Sequence, residues 1–163
     1  MSERTGAARV GADRRSEAGA APRRLSYVIA RLDRALRREI DDRVRPHGLT
    51  IARYTALSVL ASRDGLSNAQ LARRSYITPQ SMSQVIAALE RDGLIERTPD
   101  PAHRRIQRAR LTRKGRRVMA ACDAAVGTLE EEMLRDVPPR QRELLAAQLA
   151  SCVRRLGAGL GSI

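Results

Sequence analysis

The stretch that most restricts the fold runs from Leu66 to Gly115, LSNAQLARRSYITPQSMSQVIAALERDGLIERTPDPAHRRIQRARLTRKG. Ser67 followed by Gln70 has the form of a capping box, in which each side chain satisfies a backbone N–H of the other's turn. That predicts a short helix through Ala69, Leu71 and Ala72 to about Arg74. Ser75 to Ile77 make a tight turn, and Thr78-Pro79 then supplies an N-cap and a proline at the first helical position, where its missing N–H costs little. In this second helix Met82, Val85, Ile86 and Leu89 recur at the spacing of a buried stripe. Asp92-Gly93 ends it. Leu94 to Arg97 reads as a strand, Thr98 to His103 with its two prolines as a hairpin tip, and Arg105 to Leu111 as the returning strand, together a two-stranded basic wing.

The flanks are helical. Leu25, Val28, Ile29, Leu32, Leu36, Ile40 and Val44 predict a helix that Pro46 and Gly48 break, and Thr50 can cap a second one carrying Ile51, Tyr54, Leu57, Val59 and Leu60. Thr112 opens a long amphipathic helix through Val118, Cys122, Val126, Leu129 and Met133, which stops before Pro138-Pro139. A last helix carries Leu144, Leu145, Leu149, Val153 and Leu156. The expected class is therefore mainly α with a small antiparallel β-wing. A chain of 163 residues fits one domain, about 23–163, with the helix-turn-helix and wing at about 50–112 and terminal helices at about 24–45 and 113–157. Residues 1–22, rich in Ala, Gly, Ser and Arg without an apolar period, read as a disordered basic tail, either merely solvated or an arm that grazes DNA.

Charge narrows the function. The chain carries 31 basic against 18 acidic residues, a net +13, and Arg91 to Arg117 alone hold ten basic and three acidic ones. A footprint that local favours a polyanion. Lys114 is the only lysine, a bias that fits a GC-rich coding genome and lowers the weight of any single surface arginine. With no Phe or Trp, the stacking platforms typical of single-strand and RNA binders are missing, which leaves duplex DNA as the better partner. The predicted second helix turns Gln80, Ser81, Ser83, Gln84 and Ala87 outward, and such short polar groups can approach base edges and phosphates where long charged ones would collide. No apolar run reaches the roughly 18 residues that span a bilayer, and the N-terminus lacks the apolar block of a secretory signal, so the expected location is the cytoplasm and no membrane partner is expected.

Enzymatic chemistry finds little support. His47 and His103 stand apart from acid or nucleophile partners, no glycine-rich phosphate motif occurs, and Cys/His metal spacing is absent, so no catalytic residue, metal or cofactor is expected. Cys122 and Cys152 cannot build a disulfide framework, and both fall on apolar stripes where a buried, unreactive thiol is expected. Two alternatives stay open: a thiol-based redox-sensing regulator, and a DNA-packaging protein of low sequence preference.

Leu89-Glu90-Arg91-Asp92-Gly93-Leu94-Ile95, then Arg97, Arg105 and Leu111-Thr112-Arg113-Lys114-Gly115 resemble the winged helix-turn-helix of the multiple antibiotic resistance regulator (MarR) family. His47-Gly48-Leu49-Thr50 with Tyr54 and Leu57 resembles that family's link between its first two helices, so the resemblance spans about Leu25 to Leu156. One position departs. Where the family places an acid two residues before the wing arginine, this chain has His103. Three outcomes are open there: Asp100 substitutes from the hairpin tip, Arg105 is left freer than usual, or His103 makes its own phosphate contact at lower pH.

The resemblance implies a homodimer joined through the first and last helices, acting as a transcriptional regulator, commonly a repressor, on a pseudopalindromic duplex operator. It assigns base and phosphate contacts to Thr78, Gln80, Ser81, Ser83 and Gln84, minor-groove insertion to Arg105, and phosphate contacts to Arg73, Arg74 and Arg108. It also implies a small phenolic or other anionic effector held near Tyr27, Arg31, His47 and Tyr54, which shifts the population of DNA-competent dimers.

Overall fold

The computed structural model describes residues 24–157, and the predicted basic tail at residues 1–22 lies outside the described residues. Helix α1 spans Leu25–Val44. Two units, Met1–Ala35 and Leu36–Ile163, divide within it. In the first, Leu25, Tyr27, Val28, Ile29 and Leu32 are all exposed, so the predicted apolar stripe exists but covers nothing within its own unit.

In the second unit the end of α1 turns sharply. Arg45–His47 form a single 3-10 turn with Pro46 in its first positions, closed by Gly48 at φ +76°, a left-handed conformation that favours glycine. Asp41 fixes the corner from both sides: Oδ1 accepts the Ile51 N–H at 2.8 Å and Oδ2 pairs with Arg45 at 2.9 Å. Helix α2, Ile51–Ser62, then starts from the Thr50 cap. A two-residue strand β1, Leu66–Ser67, leads into α3, Asn68–Arg74. The capping box forms as expected, with Ser67 Oγ accepting from Gln70 N at 3.3 Å and Gln70 Oε1 from Ser67 N at 3.0 Å.

Helix α4 covers Pro79–Arg91, strand β2 Ile95–Pro99 and strand β3 Gln107–Leu111. The sheet is antiparallel in the order β1-β3-β2, with Ile95 opposite Leu111, Pro99 opposite Gln107 and Leu66 opposite Ala109. Two expectations change here. The wing gains a third strand, which at two residues is too short to show a period of its own. The returning strand starts at Gln107, so Arg105 belongs to the hairpin tip, where the Ile106 N–H donates to the His103 carbonyl at 2.8 Å.

Leu57 and Leu60 of α2, Leu71 of α3, Met82 and Leu89 of α4 and Cys122 of the long helix after the wing are sealed from solvent and form one core with Leu94, Ile95, Ala109 and Leu111 of the sheet. Each such aliphatic side chain contributes about 1.5–3 kcal/mol on burial. Helix α5, Arg113–Met133, is seated on the wing by its first turn. Thr112 Oγ1 donates to the Gly93 carbonyl at 2.7 Å, and a Cβ placed on Gly115 would come within 2.0 Å of the Leu94 carbonyl oxygen, so only glycine fits there. Helix α6, Pro139–Arg155, starts on a proline without a side-chain cap and buries no residue. Cys152, expected on a buried stripe, is exposed on this helix because its apolar face meets no core.

Candidate nucleic-acid interface

The start of α4 is built by its turn. Ser75 is buried and Ile77 packs against the core, which leaves Tyr76 between them pointing outward at 61% exposure with φ +54°, a left-handed conformation costly for a side chain of that size. Thr78 caps the helix: its Oγ1 accepts the Ser81 N–H at 3.1 Å and donates to Ser81 Oγ at 2.9 Å. Behind it Met82, Ile86 and Leu89 face the core, so Gln80, Ser81, Ser83, Gln84 and Ala87 are exposed together, as the spacing predicts. Not all of that polarity is available to a ligand. Ser83 Oγ donates to the Pro79 carbonyl at 2.9 Å, and Asn68 Nδ2 reaches over from α3 to the same carbonyl at 3.1 Å and to Ser83 Oγ at 3.0 Å. The Gln80 and Gln84 amides make no hydrogen bond within the described residues. Arg73 and Arg74, in the last turn of α3, pair with no acid there either, Arg73 being exposed and Arg74 half-buried.

The wing settles the question raised by His103. Asp100, only 3% exposed, is the brace: Oδ1 accepts the N–H of Ala102 at 2.7 Å and of His103 at 3.0 Å, while Oδ2 pairs with the Arg108 guanidinium. The Ala102 N–H, with Arg108 and the His103 N–H, holds this carboxyl below the usual carboxylate range against the opposing cost of burial. Arg108 Nη1 also donates to the Gly65 carbonyl at 2.8 Å. Arg108, expected on a phosphate, is partly exposed, and its guanidinium is paired with Asp100 and with the Gly65 carbonyl. His103 takes part through its backbone, with its side chain exposed.

Other cations of the wing are likewise committed. Arg97 pairs with Glu90 of α4, Arg110 with Asp64 at 3.0 Å, and the Lys114 ammonium donates to the Asp92 carbonyl at 2.8 Å. Arg104 and Arg105, exposed at the tip, have no acidic partner among the described residues. The five arginines from Arg97 to Arg110 thus sort into three that build the wing and two that its tip presents outward.

Of the four effector candidates, Tyr27 and Arg31 come together: the guanidinium lies 6.0 Å from the ring centroid, and both line an open groove of about 350 Å³ with Val28, Leu32 and Ala35. Tyr54 is half-buried and its hydroxyl donates to Asp123 of α5 at 3.1 Å; burial, then that carboxylate, pushes its pKa upward. His47 is exposed on the 3-10 turn. The Cys122 thiol is buried, and burial with Asp123 nearby raises its pKa, the opposite of what a reactive thiolate needs. Two useful residues escaped the sequence reading. Arg53 of α2 pairs with Asp92 at the end of α4, and Asn68 ties α3 to the start of α4; neither carries a local motif, since both partners are far off in the chain. Among the described residues no cluster of His, Cys, Asp and Glu could hold a metal ion, and no helix is long and apolar enough to cross a membrane.

Known proteins carry the same framework. A family model described as MarR family matches residues 47–106. The HTH-type transcriptional repressor Rv2887 of Mycobacterium tuberculosis (strain H37Rv) is 35% identical over 120 residues, covering 73% of this chain and 86% of the repressor. A crystal structure of Rv2887 in complex with DNA superposes with a TM-score of 0.67 at 30% identity, covering 82% of this chain and 98% of that one. A transcriptional repressor named CouR, bound to a 23-mer DNA duplex, gives 0.72 at 28% identity, covering 79% and 92%.

Proposed function

Because this chain belongs to the MarR family, we propose that it is a transcriptional repressor that binds a pseudopalindromic duplex operator as a homodimer and releases it when a small anionic aromatic compound binds. The observation that carries the reading is an exposed polar face on α4 together with two wing-tip arginines that have no acidic partner among the described residues, on a scaffold whose other wing cations, Arg97, Arg108 and Arg110, are internally paired. Gln80, Ser81 and Gln84 meet base edges in the major groove, with Thr78 and Ser83 beside them. Arg105 enters the adjacent minor groove, and Arg73 and Arg74 hold phosphates. Arg108 shapes the wing from within.

Dimerisation is supported by the apolar residues that α6 and the first half of α1 leave in solvent, Leu144, Leu145 and Leu149 on one and Leu25, Val28 and Leu32 on the other. Residues 23–163 serve as one functional domain in the cytoplasm, with no catalytic activity. The effector is supported by the Tyr27–Arg31 groove, where an arginine can meet a carboxylate beside an aromatic face, and by the p-aminosalicylic acid held in a structure of the relative Rv2887. Footprinting on the DNA upstream of the protein's own gene, with and without phenolic acids, tests the whole reading. A protected palindrome that the ligand erases supports it; uniform protection without a preferred sequence replaces it with DNA packaging. At fixed salt Arg105→Ala weakens operator binding by about 1–3 kcal/mol.

A further inference from the structure

The hydrogen bonds at the start of α4 fix the direction in which one reading-face hydroxyl can bond. The Pro79 carbonyl can only accept, so the Asn68 group 3.1 Å from it must be the NH2 and not the carbonyl oxygen. That orientation aims the second amide hydrogen at Ser83 Oγ, 3.0 Å away, and occupies one of its lone pairs. The Ser83 proton is occupied too, in the 2.9 Å bond to the Pro79 carbonyl one turn back. Asn68 accepts a cost to hold this arrangement, since its Oδ1 is buried with no hydrogen-bond partner among the described residues. What Ser83 shows to solvent is therefore a single lone pair.

We infer that Ser83 is a specificity-determining residue that reads an amino group in the major groove, cytosine N4 or adenine N6, and that Asn68 is the positioning residue that gives it this polarity. The inference rests on the regulator reading above. A lone pair without a proton cannot bond to a phosphate oxygen, to guanine O6 or N7, to thymine O4 or to adenine N7, because all of these are acceptors. Ser81 contrasts with it on the same face. Its Oγ accepts from Thr78 and its own proton is uncommitted, so it can donate to any of those groups. Two serines two residues apart thus differ in hydrogen-bonding sense, and the difference comes from α3.

The test starts with selection of an operator from a randomised duplex pool by the full-length protein. In that operator each adenine is then exchanged for purine and each cytosine for pyrimidin-2-one, which deletes the amino group and keeps the ring. At one position of each half-site the deletion should weaken wild-type binding by about threefold to tenfold, the worth of one hydrogen bond, and weaken Ser83→Ala by less than about twofold. Ser83→Ala should lose base preference at that position alone, and Asn68→Ala should blunt the same preference with the others retained. A selected operator whose amino-group deletions affect wild type and Ser83→Ala equally overturns the inference and leaves the regulator reading intact. Uniform weakening at every position by Ser83→Ala overturns it as well, because that marks a merely structural serine. A pool that returns no preferred sequence overturns the regulator reading itself.

Discussion

The helix-turn-helix with its wing and the last helix α6 use leucine in opposite ways. Leu57, Leu71 and Leu89 are fully enclosed by the sheet and by neighbouring helices, whereas Leu144, Leu145 and Leu149 of α6 stand between 37% and 58% exposed. Both regions show an amphipathic period, so periodicity alone does not separate them. What separates them is whether the chain supplies the opposing surface. A stripe with an internal partner stabilises the protomer; one without it is material for assembly, and its energy is released only when a second chain arrives.

That contrast can be broken by mutation. Leu71→Ala should cost about 2–5 kcal/mol in urea unfolding, at any protein concentration, because it leaves a cavity in a closed core. Leu145→Asp should halve the mass seen by sedimentation and make the unfolding midpoint insensitive to concentration, with the helical content of the protomer kept; a loss of folding equal to that of Leu71→Ala would abolish the distinction.

The smallest effect concerns the wing and pH. The Asp100 carboxyl sits below its ordinary value, so its contribution is complete above the unfolded aspartate range near 3.9 and is lost as pH falls through the lowered value. The amides of Ala102 and His103 should therefore lose protection in acid, measured against the intrinsic exchange rate at each pH, and Asp100→Asn should show the lowered protection already at neutral pH.

Helix boundaries were legible because their signals are local. The Ser67–Gln70 box, the Thr78-Pro79 start, the Thr112 cap and the Gly48 and Gly93 turns each lie within a few residues of what they control. The reading face of α4 followed from its period. Pairings across the chain were not legible: Asp100 with Arg108, Arg53 with Asp92 and Asn68 with Ser83 depend on the approach of separate elements, and nothing in the composition of either partner announces the other. The same holds for β1, whose two residues become a strand only because β3 lies beside them. Arg108 shows the practical cost, since its pairing with Asp100 appears only once the hairpin tip is folded back on β3.

Gly115 has a mechanical meaning beyond packing. With the first turn of α5 lying against the Leu94 carbonyl, and Thr112 gripping the same loop, the helix and the root of the wing meet without clearance. A joint that tight has no backlash. A side chain at this position would therefore pry the first turn of α5 away from the loop that leads into the hairpin carrying Arg105.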